Sequence, residues 1–284
     1  MDDSLVLSTS DSARWVAVYR AWETARAQPL FHDPYAHLFA GTQGRAMADA
    51  LLTRYAYNGW PLVVRTKLVD DLVQAAVVSG CDCVVNLGAG FDTRPYRLHL
   101  PSTLRWIEAD LPAVIKEKQA VLRDARPQCD LRRVKVDLTS PGACAAVLKK
   151  VLRAAPDVLV LTEGLLIYLS GRQVCALSRD LMDRGVRRWI LDLSSPAILA
   201  DLQTALGDYL PASPMRFAPA DGIGYFEALG WTVAQLYSII PAAQRFARLP
   251  AFLQAFTLGA QPDLRELGGA RWSGVVQLEA QARC

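Results

Sequence analysis

Cys83-Val84-Val85-Asn86-Leu87-Gly88-Ala89-Gly90-Phe91-Asp92-Thr93-Arg94 decides how the rest of the chain is read. A short apolar run with a valine pair suits a strand buried on both faces. The Gly-x-Gly that ends it leaves bare backbone at the strand's carboxyl end, which is where open α/β sheets take nucleotides. Thr93 stands where a dinucleotide fingerprint would have its third glycine, and Glu108 and Asp110 follow at the spacing of a ribose-holding carboxylate. Glycine turn and spaced acid together predict a site for an adenosine-containing ligand.

Downstream of that stretch, strands and helices alternate, the pattern of a parallel sheet with crossover helices. Strands are expected at 83–87, 105–109, 132–136, 158–162 and 188–193, then near 231–239 and 271–278. The helix after the third strand carries Cys144, Val147, Leu148, Val151 and Leu152 on one face and ends at Pro156. Helices are also expected at 221–229 and around 242–257. Residues 194–220 lose periodicity and carry Pro196, Pro211, Pro214 and Pro219, which reads as an irregular insertion over the sheet's carboxyl edge.

Upstream, helical patterns cover 10–27, 43–58 and 61–79, broken by Pro29 and Asp33-Pro34, with Pro61 in a first turn and Gly80 as a C-terminal cap. The predicted fold class is therefore α/β: a Rossmann-like, mostly parallel seven-stranded sheet. A helical extension over residues 1–80 closes the ligand site, the core spans 81–284, and residues 194–226 cover the substrate.

Gly88 and Gly90, Asp110, Asp137 and Glu163 all fall at successive strand ends. Parallel strands lie about 4.8 Å apart, so these positions form one row along the sheet edge. Arg65 lies on the helix that leads into the first strand, from which it can point a cation at a carboxylate ligand.

Composition excludes several other classes. With 52% hydrophobic and 21% charged residues over 284 positions, the chain can bury a large core. A net charge of +3, with arginines scattered among acids, is no phosphate-tracking stripe, so nucleic acid is not an expected partner. No apolar run is long enough to span a bilayer and the amino terminus is acidic, so no membrane association and a cytoplasmic location are expected. The six cysteines form no Cys-x-x-Cys and the three histidines lack zinc spacing, so no metal is expected. The Gly-x-Ser-x-Gly of a serine hydrolase and the Tyr-x-x-x-Lys of a nicotinamide dehydrogenase are absent as well.

Val85 to Leu98, Glu108-Ala109-Asp110-Leu111-Pro112, Val136-Asp137-Leu138 and Thr162-Glu163-Gly164-Leu165-Leu166-Ile167-Tyr168-Leu169 resemble the leucine carboxyl methyltransferase family. Ala13-Arg14-Trp15-Val16-Ala17 and Phe31-His32-Asp33-Pro34-Tyr35-Ala36 resemble its bacterial branch of S-adenosylmethionine-dependent methyltransferases. The resemblance covers residues 12–240 and implies S-adenosyl-L-methionine as cofactor. It places Gly88 and Gly90 against the methionine, Asp110 at the ribose hydroxyls, and Asp137 and Leu138 beside the adenine, with Ala89 and Leu111 also among the cofactor contacts. Glu163 then lies near the amino group and Arg65 pairs with the carboxylate. The contacts of Asp92 and Arg94 stay open.

Such a cofactor has no diphosphate, which fits the relaxed glycine pattern, and its zwitterionic tail asks for one cation and one anion. The acceptor is expected to be a small apolar or aromatic molecule, methylated on a carboxylate or hydroxyl, because the candidate lining is aromatic. Tyr19, Trp22, Tyr168 and Tyr225 are the candidate substrate contacts, within a set that includes Tyr209. No dedicated base stands out; His32, His37, Tyr168 and Tyr225 are the candidates. C-methylation, cofactor-dependent cyclisation and carboxyl methylation of a protein C-terminus are the alternative reactions.

Overall fold

The computed structural model describes residues 9–55, 57–140, 142–151, 157–206 and 214–281. Leu152, Pro156, Tyr209 and Pro211 lie outside the described residues. Seven strands, β1 (Cys83–Leu87), β2 (Arg105–Asp110), β3 (Asp130–Lys135), β4 (Val158–Thr162), β5 (Arg188–Ser194), β6 (Trp231–Ser238) and β7 (Ser273–Ala280), form one sheet. Its order is β3-β2-β1-β4-β5-β7-β6, parallel except for β7, which runs antiparallel to both neighbours. Every residue of β1 and β4 is buried, the polar Asn86 and Thr162 included, as suits mostly apolar strands at the centre of a sheet. The edge strand β3 has no buried residue, which is why Arg132, Arg133 and Lys135 are tolerated there.

Successive strand residues point to opposite faces, so two apolar layers form. Val84, Trp106, Leu159 and Ile190 pack on one side against α3 (Trp60–Val78) and α10 (Ile239–Arg245). Val85, Leu87, Val160 and Leu191 pack on the other against α6 (Ala143–Val151) and α7 (Gly171–Asp183). Ser170 starts α7 with a reciprocal capping box to Gln173.

The N-terminal helices add a further core. In α1 (Thr9–Thr24) and α2 (Ala36–Tyr55), Trp15, Tyr19, Met47 and Leu51 form a separate core with Leu206 and Met215. The expected helix at 43–58 begins earlier, because Asp33 Oδ1 accepts from the backbone N–H of Tyr35 (3.2 Å) and Ala36 (3.0 Å) and so caps the turn that Pro34 had suggested as a break. Gly41 then kinks α2 with φ 58°.

The stretch expected to be irregular contains a helix, α8 (Pro196–Leu206). Ser195 Oγ accepts from Ile198 N–H at 3.3 Å, and Pro196 occupies the first helical position, where its missing N–H loses nothing. The expected helix at 242–257 is also corrected. After α10, Ala247 takes φ 53° and Pro250 leads into a 3₁₀ segment, Ala251–Thr257. Short helices α4 (Arg94–Arg97) and α9 (Gly224–Glu227) and the helix α5 (Pro112–Val121) complete the connections.

Candidate functional site

A cavity of about 920 Å³ opens at the carboxyl ends of β1, β2, β4 and β5, near the top of the roughly 300–1,000 Å³ range of small-molecule sites. Its floor is the turn after β1. Gly88 and Gly90 hold φ of 70° and 44°, a region that favours glycine. A Cβ on Gly88 would meet Leu165 Cδ1 at 3.0 Å, and one on Gly90 would meet Ala13 Cβ at 3.3 Å. Bare backbone is thus what fits between α1 and the loop after β4. Thr93, in the place of a third glycine, donates its hydroxyl to Asp33 Oδ2 at 2.7 Å and so ties the turn to the helical cap.

Asp110, at the end of β2, accepts from Gly90 N–H through Oδ2 and from Leu111 N–H through Oδ1, both at 2.6 Å. Burial pushes its carboxyl above the usual aspartate range, and these two hydrogen bonds offset only part of that rise. Glu108 does not share this role. It is fully buried and bound by Lys118 Nζ (2.6 Å) and Arg133 Nε (2.8 Å).

Opposite Asp110 runs a continuous chain of buried charge. Arg20 Nη1 lies 3.4 Å from Asp33, which Arg97 Nε approaches at 3.8 Å, and Arg97 grips Asp70 with both terminal nitrogens at 2.7 Å. Arg94 joins Asp70 (2.6 Å), Asp92 (2.9 Å) and Glu163 (2.7 Å), and Arg65 joins Glu163 and Asp192, each at 3.0 Å. Asn86 Nδ2 donates to the same Asp92 Oδ2 at 2.8 Å, and Asp92 Oδ1 accepts from the Arg94 backbone N–H at 2.8 Å. Four arginines and five carboxylates leave the chain with one net negative charge.

Burial acts to raise the Glu163 carboxyl, but Arg94 and then Arg65 outweigh it and hold it below the usual range. For Asp92, burial is again opposed, here by Arg94, Lys118 and Arg97, and the carboxyl is held far down. Asp192 Oδ1 also accepts from Gly164 N–H at 2.7 Å. Arg65 Nη2 makes no hydrogen bond among the described residues, and it stands 3.5 Å from where a Cβ on Gly164 would be.

Beyond these charges the cavity turns apolar, lined by Trp15, Tyr57, Tyr168, Ile198, Leu202 and Met215, and its mouth carries Phe252 and Phe256, 69% and 62% exposed. Tyr57 packs against Trp15 and Tyr19 at ring separations of 6.0 and 5.8 Å. Burial raises the hydroxyl pKa of both Tyr57 and Tyr168, and Tyr168 hydrogen-bonds Ser12. Both are therefore neutral donors at ordinary pH rather than bases.

The structure brings Arg65, Gly88, Ala89, Gly90, Asp110, Glu163 and Tyr168 to one cavity wall. Other expected residues stand elsewhere. Leu111 is half-buried beside the helical cap; Asp137 is exposed, its carboxylate accepting from Thr139 N–H (2.9 Å); Leu138 is buried in the sheet core. Tyr19 is buried behind Tyr57, its hydroxyl taking the Trp15 indole N–H at 2.9 Å and pushed up to about 12 by burial. Trp22 packs edge-on against Tyr19 at 5.4 Å and is 39% exposed, and Tyr225 donates to the Gly171 carbonyl at 2.8 Å. These three do not line the cavity, nor do the exposed His32 and His37. Asp192 and Tyr57 were not singled out from sequence. Asp192 carried a usable signal, because it continues the row of strand-end acids on β5.

An open α/β sheet in this order, with one antiparallel strand inserted beside the last, and a glycine turn and strand-end acids at its rim, defines a class I methyltransferase fold. Solved structures agree on the fold. A DUF574 family protein from Streptomyces avermitilis superposes with a TM-score of 0.59 at 14% identity, covering 95% of this chain and 97% of the other. A methyltransferase structure from Thermobifida fusca gives 0.57 at 14% identity, covering 95% and 94%.

The family model for leucine carboxyl methyltransferase matches residues 13–182. A Frankia alni protein named as an S-adenosyl-L-methionine-dependent methyltransferase is 35% identical over 82% of this chain and 85% of its own length. One from Streptomyces avermitilis is 36% identical over 76% and 80%. The chain belongs to the leucine carboxyl methyltransferase family. It is a methyltransferase whose cofactor is S-adenosyl-L-methionine. Among the described residues no helix is long and apolar enough to cross a membrane.

Proposed function

We propose that this enzyme transfers a methyl group to an oxygen of a small apolar or aromatic acceptor, with the cofactor lying along the row of strand ends. The observation that carries the reading is the convergence of Gly88, Gly90, Asp110, Glu163 and Arg65 on one cavity whose far half is apolar. Each Asp110 oxygen spends one lone pair on a backbone N–H and keeps another for a ribose hydroxyl. Gly88, Ala89 and Gly90 present backbone to the methionine stem. Glu163 faces the ammonium, and Arg65 offers Nη2 to the carboxylate. Val136 N–H donates to the Asp110 carbonyl at 2.8 Å, which sets Asp137 and Leu138 next to the ribose acid; with Leu111 they border the adenine end. The cofactor's one net positive charge complements the one net negative charge of the arginine-carboxylate chain.

When bound, the cofactor supplies a methyl carbon already activated by the sulfonium, so the protein's part is alignment, which can lower a barrier by about 7–11 kcal/mol in favourable cases. Trp15, Tyr57 and Tyr168 wall the acceptor side, and α8, within the 194–226 segment, covers it through Ile198 and Leu202. Within residues 1–80, α1 and α3 close the cofactor side through Ala13 and Arg65. The neutral tyrosine hydroxyls orient an acceptor oxygen by donation. A carboxylate is already ionised at neutral pH and needs no base.

The test is transfer of tritiated methyl from S-adenosylmethionine to a panel of aromatic and alkyl carboxylic acids and phenols, with a peptide bearing a free C-terminal leucine as comparison. Base-labile product identifies an ester, and base-stable product from a phenol an ether. Label entering the peptide and none of the small acceptors would overturn the proposal.

A further inference from the structure

Arg94 is the branch point of the buried charge chain. Nε donates to Asp70 Oδ1 (2.6 Å), Nη1 to Asp92 Oδ2 (2.9 Å) and Glu163 Oε2 (2.7 Å), and Nη2 to the Thr66 carbonyl (3.3 Å). The side chain is 2% exposed, and four of its five N–H donors are engaged within the protein, so whatever it does for a ligand it does through another residue. Glu163 is the member of its set that reaches further into the cavity. It is 14% exposed, and each of its oxygens accepts one arginine bond, Oε1 from Arg65 and Oε2 from Arg94, keeping a second lone pair.

We infer that Arg94 is a positioning residue for the cofactor's amino group, acting through Glu163: it fixes the carboxylate's orientation at the β4 rim and keeps it ionised. This rests on the reading that Glu163 meets the ammonium. Four charged groups face Glu163. Arg65 comes from α3, Arg94 from the start of α4, the repelling Asp92 from the turn after β1, and Asp192, at the end of β5, competes for Arg65. Without Arg94, one shared arginine would stand against burial and Asp92, and Glu163 would take up a proton on mild acidification and lose its attraction for a cation. A lysine does not substitute. Its point-like ammonium lacks the planar fork that reaches Asp70, Asp92 and Glu163 together.

Calorimetry separates this role from plain stabilisation when two ligands are compared. S-adenosylhomocysteine carries the amino acid tail, whereas 5′-methylthioadenosine keeps the nucleoside and sulfur but has no α-amino group. Arg94→Lys is expected to weaken S-adenosylhomocysteine on the order of tenfold at neutral pH, the loss typical of one charged hydrogen bond. The weakening grows from about pH 7 to about pH 5, where an α-amino group stays protonated. Any decline that Asp110 imposes on wild type over that range is common to both ligands, so the extra loss in the variant is read against 5′-methylthioadenosine, whose profile Arg94→Lys leaves unchanged. The double variant Arg94→Met with Asp70→Asn removes a cation together with one of its anions, and it is expected to show the same ligand-selective loss if the single variant folds poorly.

Equal weakening of both ligands, or a pH profile parallel to wild type, would overturn the inference and leave Arg94 a structural residue. Glu163→Gln divides this result from the cofactor pose. Unchanged S-adenosylhomocysteine affinity in that variant overturns the placement of the ammonium itself. Weakened affinity there, combined with a normal Arg94→Lys, overturns only the role of Arg94.

Discussion

Asp110→Ala probes the proposed cofactor pose at its most exposed assumption. Both carboxylate oxygens already hold backbone N–H groups at 2.6 Å, and Lys118, the cation whose charge acts on the group, is itself bound to Glu108 at 2.6 Å. The group is kept in the cavity wall although burial raises its pKa, a cost to the free protein that a ligand can recover. A charge-assisted hydrogen bond is worth about 1.5–3 kcal/mol, but water satisfies the same lone pairs in the free protein, so about 1–3 kcal/mol is the expected total loss for two ribose contacts. That corresponds to a rise of roughly 5- to 150-fold in the dissociation constant for S-adenosylhomocysteine, measured by calorimetry. Because burial raises the carboxyl pKa, wild-type affinity is also expected to decline on acidification earlier than an ordinary aspartate would dictate. The variant frees the Gly90 and Leu111 N–H groups, so its melting curve must remain cooperative for the comparison to count. A folded Asp110→Ala protein that binds S-adenosylhomocysteine with wild-type affinity would remove Asp110 from the ribose.

Gly59 has φ 74°, and a Cβ there would lie 2.1 Å from the Tyr19 ring, so Gly59→Ala is expected to destabilise by roughly 2–5 kcal/mol, seen as a lowered melting temperature. An unchanged melting temperature would mean that Tyr19 is not held there. Asp92 and Glu163 have folded-state pKa values below their unfolded ones, so the stability they contribute is present above roughly pH 4 and is lost as pH falls through the folded values. Asp92→Asn should therefore flatten the fall of melting temperature below about pH 4, and an equally steep fall would contradict the pairing with Arg94. Burial pushes the Cys83 thiol up to about 11, so iodoacetamide at mildly alkaline pH should leave it unmodified in the native protein and label it after denaturation, as mass spectrometry would read.

The sheet was legible because its central strands are apolar apart from Asn86 and Thr162: Cys83–Leu87 and Val158–Thr162 match the expected bounds. Acids at strand ends were legible for the same reason, since the end of such a run fixes where the next side chain stands. Local context misled elsewhere. Pro196 reads as a breaker in one dimension, yet it starts α8 once Ser195 supplies the cap. Tyr19, Trp22 and Tyr225 read as pocket aromatics because composition does not say which face of a helix meets the cavity; Trp15 and Tyr57 take that wall instead. The contacts of Asp92 and Arg94 were not readable at all. They depend on Asp70 and Glu163, which lie 24 and 69 residues from Arg94 and meet it only when α3 and β4 are packed.

The position of β7 bears on how the chain is made. It sits between β5 and β6, although β6 is synthesised first. While residues 239–272 are still being added at the ribosome, the edge of β5, with its Trp189-Ile190-Leu191 run, has no neighbour on that side. An open apolar edge of that kind is a template for pairing with another nascent chain. The interval before Ser273–Ala280 arrives is thus the moment at which a chaperone, or its absence, should most strongly decide the yield of soluble enzyme.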